Sequence, residues 1–333
     1  MNLVDDTLVE KQLFPFTLTR AIADIRIGIL TIRDKWLFAA ASGGLHNISS
    51  NLLPSPEVVA GLRAGNPASE ENGAIFINYP WHIFQYNDLA IRLDFTLLTA
   101  SRVSKPISKT NQVICPENIF LEEGARVEYC MLNAASGPIY VGKNAEIMEG
   151  SNIRGAFALC EGGVVKMGTM IYGATTVGPY SVVGGEIKNS VIFGYSNKGH
   201  HGYLGDSVVG EWCNLGAGTS NSNVKNNAGD IKIWNPLTGS FAIVGKCGLL
   251  MGDYSRSAIN TSFNTGTVTG ACCNVFDEGL TSTYIPSFSW GGKEPLRYEF
   301  DKALRDIGNW KKLKKQLLEE EEIKKLRHIF DNY

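Results

Sequence analysis

VGKNAEIMEGSNIRGAFALCEGGVVKMGTMIYGATTVGPYSVVGGEIK, residues 141–188, divides without remainder into blocks of six. Each block opens on an aliphatic residue: Val141, Ile147, Ile153, Leu159, Val165, Ile171, Val177 and Val183. In the first seven blocks the fifth place is mostly small, with Ala145, Ser151, Gly163, Thr169, Thr175 and Ser181, and Phe157 as the large exception. A period of six is neither that of a helix nor that of a simple alternating strand. It describes short strands joined by tight corners. The aliphatic residue points into a narrow core, the small residue fits beside the bend, and glycine supplies the corner dihedrals. Three such blocks make the three walls of one coil, so the sequence predicts a mainly β fold, a parallel β-helix.

Outward from this block the register continues. After a two-residue offset it is expected at Val191, Asn197, Tyr203, Val209 and Leu215. It returns at Met251, Ser257, Phe263, Thr269 and Val275, with Ser255, Thr261, Thr267 and Cys273 in the fifth place. Leu121 and Val127 fit an early, less regular coil. Two breaks stand out, one around 183–200 and the other SNSNVKNNAGDIKIWNPLTGS, 220–240, an extended loop leaving the stack. Solenoids concentrate function at such breaks.

The ends lack the period. Residues 1–110 predict a small α/β region: LTRAIADIRIGILTIRDKW (18–36) as a helix or helix–strand unit, ASGGLHN (41–47) as a loop, and GAIFINYPWHIF (73–84) as a strand. The solenoid is expected over 111–285. A C-terminal extension, 286–333, contains DKALRDIGNWKKLKKQLLEEEEIKKLRHIF, whose pattern predicts amphipathic capping helices with a salt-bridged outer face.

Bulk composition narrows the function classes. Of 333 residues, 44 % are apolar and 19 % charged, and the formal net charge is −2, which implies no general attraction to nucleic acid or to anionic membrane. No apolar run approaches the ~20 residues of a membrane span. MNLVDDTLVEKQ has no secretory h-region. The cysteines number seven and have no C-x-x-C spacing, which points to small buried residues in a reducing compartment rather than a disulfide framework or zinc cage. A cytoplasmic location is expected.

One segment carries recognisable chemistry. A hexapeptide β-helix resembles the left-handed acyltransferase superfamily. Within it GHHGYLGDSVVGEWCNLGAGTSNSN, 199–223, resembles the acetyltransferase part of the bifunctional uridyltransferase/glucosamine-1-phosphate N-acetyltransferase family. The match rests on Gly199, His200, Tyr203, Leu204, Gly205, Asp206, Asn214 and Gly216 to Thr219. It implies a left-handed helix, a homotrimer with sites between subunits, and acetyl-CoA as cosubstrate. His200 would be the general base, while Lys188, Tyr203 and Asn214 would hold the sugar phosphate. Asn223, Ala217 and Ser255 would lie at the coenzyme A site. Where the family has its phosphate-binding arginine, Met170 stands here, and Arg154 from a nearby coil is the candidate substitute. The loop lysines Lys225 and Lys232 could also reach a phosphate.

The two adjacent histidines are expected to face opposite ways, as strand neighbours do, which leaves His201 at the surface or a subunit contact and gives no metal site. The N-terminal stretch Leu13, Pro15, Thr17, Thr19, Arg20, then Ile25 to Ile32, Lys35 and Trp36 is similar to a divergent branch of the same family, whose members are called sugar-1-phosphate nucleotidyltransferases. That similarity makes Arg20 and Lys35 the residues to suspect for nucleotide phosphates, with Mg2+ if nucleotidyl transfer is retained. The usual Gly-rich loop followed by Pro-Lys is absent, and the region is short for a doubly wound domain. The expectation is therefore a reduced nucleotidyltransferase-like region on an N-acyltransferase for an amino sugar phosphate. Uridylyl or thymidylyl transfer to a sugar-1-phosphate is the alternative, and a non-catalytic scaffold the third.

Overall fold

The computed structural model describes residues 1–40, 43, 45–239 and 241–333, and of 241–244 the backbone alone. Residues 41, 42 and 44 of the expected loop, and 240 at the end of the insertion, lie outside the described residues.

The repeat folds as a parallel β-solenoid with three walls. The first wall stacks nine strands, from Ile119–Leu121 to Tyr284–Ile285, and the third stacks six, from Gln112–Ile114 to Tyr203–Gly205. The second stacks ten, beginning at Arg126–Val127 and ending in Leu296–Arg297, which pairs antiparallel with Ser289–Trp290. The opening aliphatics of residues 141–188 all reach the interior and are at most 2 % exposed. Corner glycines allow the coils to approach: a Cβ on Gly142 would lie 2.7 Å from Glu161 N in the next coil.

The register after 183 differs from the expected one. Val177 pairs with Ile192, Val183 with Lys198 and Ile187 with Leu204. The inward residues are therefore Ile192, Lys198 and Leu204, not Val191, Asn197 and Tyr203. The corner at Gly184–Gly185 is short, so the third wall is reached at Ile187, four residues after Val183, and the next inward residue follows after five. Hydropathy could not reveal this slip, because Val191 and Ile192 are both 0 % exposed and face different cores. From Val209 onward the expected register holds: Val209 pairs with Met251, Met251 with Thr269, and Ser257 with Val275.

The N-terminal region is mostly helical: α1 (Thr7–Gln12), α2 (Ile32–Ala39), α3 (Pro56–Arg63), α4 (His82–Gln85) and α5 (Asn87–Thr99). Its β content is the parallel pair Leu3–Val4 with Ile48–Ser49, plus isolated bridges. The strand expected at 73–84 is replaced by a single bridge, Leu52 to Phe76, and by α4. Pro80 and the aromatic run Tyr79, Trp81, His82 and Tyr86 explain this. Tyr79 and Trp81 stack at 4.7 Å, which needs a turn rather than an extended chain.

This region does not form a separate core. Leu13, Phe16, Ile22, Trp36, Ile77 and Phe84 pack in one cluster with Val191, Phe193, Val208, Leu250 and Val268, the outer face of the first wall. A parallel sheet covered on both faces reads as unbroken apolar runs, as in Leu249–Met251. Asn87, fully buried, fastens the contact: it donates to Ala174 O at 3.0 Å and accepts from Gly28 N at 2.7 Å and Thr176 Oγ1 at 3.1 Å.

The 220–240 insertion is also not a free loop. Ile231–Trp234 forms a hairpin with Phe241–Val244, Ile231 and Ile233 enter the same cluster, and Trp234 stacks on Tyr284 at 3.7 Å. Helices α6 (Phe300–Leu313) and α7 (Glu320–Asn332) cover the corner between the first and second walls, from Trp212 and Tyr254 to Cys272 and Phe288. Six of the seven cysteines are buried. No helix among the described residues is long and apolar enough to cross a membrane.

Candidate active site

His200 follows the second-wall strand Asn197–Lys198, in the bend that turns the chain into third-wall strand Tyr203–Gly205. Glycine makes the bend possible. Gly202 has φ of 124°, and a Cβ there would lie 2.1 Å from Thr219 O, so no other residue fits without moving the next coil. Both His200 and His201 are exposed, and both line a groove of about 350 Å³ with Lys166, Gly184, Gly199 and Ala217. The two histidines border one groove, where the alternation rule would have placed them on opposite faces. That rule belongs to strands, and these residues occupy a bend.

Ala217 comes into the His200 groove because the corner repeats one coil later. A second group assembles on the outer face of the third wall. Tyr203 Oη accepts a 3.0 Å hydrogen bond from Asn223 Nδ2, which also donates to Asp206. Asp206 in turn accepts from Asn189 Nδ2 at 2.6 Å. Burial, and then the charges of Asp206 and Glu186, hold the Tyr203 phenol above its usual range. One strand below Tyr203, Glu186 accepts from Tyr172 Oη. That bond, more than burial, pushes the Tyr172 phenol up to about 12. Lys188 is paired with Tyr172 in register, its Nζ 5.9 Å from the ring centroid.

Arg154 is exposed on the same wall, two strands below Lys188 and thus roughly 10 Å away. It lines a groove of about 540 Å³ with Met131, Asn152, Met170 and Tyr172. Asn214 is not brought to this face. It lies on the second wall, above Asn197, whose Nδ2 is 3.5 Å from its Oδ1. Within one chain the sugar-phosphate candidates are therefore divided between two walls that diverge at the His200 corner.

The structure takes Ser255 out of the coenzyme group. It is fully buried at a first-to-second-wall corner, where its hydroxyl donates to Gly270 O at 2.9 Å and accepts from Cys273 N at 3.0 Å. Arg20 and Lys35 are engaged elsewhere too. Arg20 donates to Asp253, lies 3.5 Å from Glu211 and packs 4.8 Å from the Phe193 ring centroid, and Thr19 Oγ1 reaches the same Asp253 carboxylate at 2.6 Å. Lys35 donates to Asp94, which also accepts from Ile29 N at 2.7 Å and Leu30 N at 3.0 Å. Burial dominates that pair, lowering the Lys35 pKa and raising that of Asp94. Both cations fasten one part of the fold to another. Of the loop lysines, Lys225 donates to Asp230 O, within its own loop.

Sequence reading missed Lys198. It is the residue that pairs with Val183 on the second wall, so its side chain enters the solenoid, where it is 1 % exposed. Its Nζ donates to Gly184 O at 3.1 Å and to His200 O at 2.6 Å. Burial lowers its pKa to about 8. A correctly placed register would have exposed this cation as the odd inward residue. Among the described residues no three His, Cys, Asp or Glu side chains are grouped as a metal site.

Parts of the chain are similar to known proteins. The sequence model of the sugar nucleotidyl transferase family matches residues 1–58. "Bifunctional protein GlmU" of Methanococcus maripaludis is 29 % identical over 234 residues, 67 % of this chain and 51 % of the relative. The protein of the same name from Methanocaldococcus jannaschii is 34 % identical over 88 residues, 26 % of this chain and 21 % of that one. A "bifunctional sugar-1-phosphate nucleotidylyltransferase/acetyltransferase" of Sulfurisphaera tokodaii is 33 % identical over 93 residues, 27 % and 23 % of the two chains. This chain therefore spans about half, or less, of the length of these relatives. The polysialic acid O-acetyltransferase OatWY, at 15 % identity and a TM-score of 0.32 over 56 % of this chain and 85 % of that one, is too distant to carry an argument. A hexapeptide solenoid, a GHxxYLGD corner and an N-terminal match to sugar nucleotidyl transferases occur here in one chain, which is similar over part of its length to these bifunctional proteins.

Proposed function

We propose that the protein is an acyl-CoA-dependent N-acyltransferase acting on an amino sugar phosphate of the glucosamine-1-phosphate kind. The observation that carries this reading is the position of His200. It is exposed, borders a glycine-walled groove beside Ala217, and lies in the bend that leads into the strand bearing Tyr203. The substrate amine attacks the thioester carbonyl, a C–N bond forms and the C–S bond breaks. The imidazole of His200 accepts the amine proton and passes it to the departing thiolate, so that coenzyme A leaves as the thiol. Lys188 supplies a positive charge for the phosphate, with Arg154 further along the same wall. Tyr203 and Asn223, joined by their hydrogen bond, present an amide and a phenol to sugar hydroxyls or to the pantetheine arm.

The division of Asn214 from Lys188 and Tyr203 supports a homotrimer, in which the second wall of one subunit faces the third wall of its neighbour. Light scattering should give three times the mass of one chain. A monomer that retains full turnover would remove this part of the reading.

Sugar-1-phosphate nucleotidyl transfer with Mg2+ is the second reading, favoured by the family match over 1–58. The buried pairing of Arg20 and Lys35 counts against it. The deciding experiment is thiol release from acetyl-CoA with glucosamine-1-phosphate by wild type and His200→Ala. A positioned base is worth ~10²–10⁴ in rate, so the variant should lose turnover by that factor while staying folded. Equal turnover in both proteins, or none in wild type, would discard the acyltransferase reading.

A further inference from the structure

We propose that Lys198 is a positioning residue: from inside the solenoid its side chain holds the main-chain carbonyl of His200 and so sets the direction in which the corner presents the imidazole. The inference rests on the reading of His200 as the base.

The inward positions of the second wall are Val127, Ile147, Val165 and Val183 below Lys198, and Leu215, Ser257 and Val275 above it. An aliphatic side chain fills this place in neighbouring coils, so the fold alone gives no reason for a cation here. A buried ammonium loses its hydration and is retained only where hydrogen bonds replace it. Among the described residues Lys198 has no carboxylate partner, and its bonds go to two carbonyls, Gly184 O and His200 O. These lie in successive coils of the same corner, and both residues line the candidate groove.

The corner needs such a tie. Gly184, Gly185, Gly199 and Gly202 carry no side chains that could lock it, and glycine leaves the backbone free to sample other conformations. Thr219 O and the neighbouring coil limit Gly202 from outside. Lys198 limits His200 from within. A small rotation of the His200 peptide would swing the ring through the groove, and misplacement of a catalytic group by about 1 Å costs on the order of 10²-fold in rate.

The test is Lys198→Met, which keeps length and apolar volume but removes the donor. The expected result is a fall in kcat of about 10–100-fold with KM for both substrates little changed, and a crystal structure in which the His200 ring is displaced or split between positions. Lys198→Gln, whose amide can still reach one carbonyl, should recover part of the lost kcat. An imidazole in its original place together with unchanged kcat would overturn the proposal. So would a lower thermal midpoint with kcat of the folded enzyme unaltered, which is what a purely structural role predicts. If neither variant folds, a crystal structure of the unsubstituted protein decides: Lys198 Nζ beyond hydrogen-bond distance of His200 O ends the proposal. Should His200→Ala retain turnover, the base reading falls, and the crystallographic position of the ring in Lys198→Met still decides separately whether Lys198 holds it.

Discussion

Lys198 and His200 are two residues apart, yet one is enclosed and the other exposed. The strand ends between them, so alternation no longer governs which way the chain's side chains point. The enclosed lysine carries a measurable signature. Its ordinary pKa is 10.5, and burial brings it to about 8 in the fold. Between those values the unfolded chain holds a proton that the folded one has released, so folding stability rises with pH across that window. Below pH 8 the buried charge costs roughly 3 kcal/mol relative to a lysine in water. The thermal midpoint of wild type should therefore gain on that of Lys198→Met as pH rises from about 8 to 10.5. A difference that stays flat over this range would show that the lysine is not desolvated.

At the scale of elements, what the N-terminal helices bury is partly ionic. Lys35 on α2 and Asp94 on α5 are 4 % and 1 % exposed, and the carboxylate also caps the backbone at Ile29 and Leu30. Removing one member leaves the other buried without a partner, so Asp94→Ala should destabilise the fold by about 3–5 kcal/mol in urea unfolding. Replacing both, with Lys35→Met and Asp94→Leu, should cost less than that single change, and a larger loss in the double variant would contradict a structural ion pair. The elements also show where sequence reading stops. The six-residue period located the strands of 141–188 because each coil there repeats the same local demand. The segment 73–84 has strand-like composition, but its aromatic side chains stack on one another and the chain turns. The insertion after 220 reads as an extended loop because, among its described residues, the apolar side chains that join the shared core are few: Ile231, Ile233 and Trp234.

Across the whole molecule, the N-terminal helices, the insertion hairpin and the first wall enclose one apolar cluster. Arg20 and Thr19 reach Asp253 across more than two hundred residues of chain, and Asn87 joins Gly28 to Ala174 and Thr176. Such an arrangement predicts one cooperative transition. Fluorescence of Trp36 and Trp81, in variants lacking the other tryptophans, should change at the same urea concentration as the far-ultraviolet signal of the solenoid. Separate midpoints would mean that the N-terminal region folds as a unit of its own.

The sequence by itself determined the solenoid and its walls over 141–188 and 251–275, because strand and corner preferences act within a few residues and repeat. Lys188 and Tyr203 are singled out by the motif resemblance and not by the period, which places Tyr203 inward where the structure puts it on the outer face of the third wall. Only the tertiary structure decided the register between 184 and 204, where a short corner lets two neighbouring apolar residues serve two different cores. It also decided that Ser255 is enclosed, that Arg20 and Lys35 are held in ion pairs, and that Asn214 stands on a different wall from Tyr203. These are contacts between residues far apart in the chain, and their energies come from burial and pairing that no local pattern records.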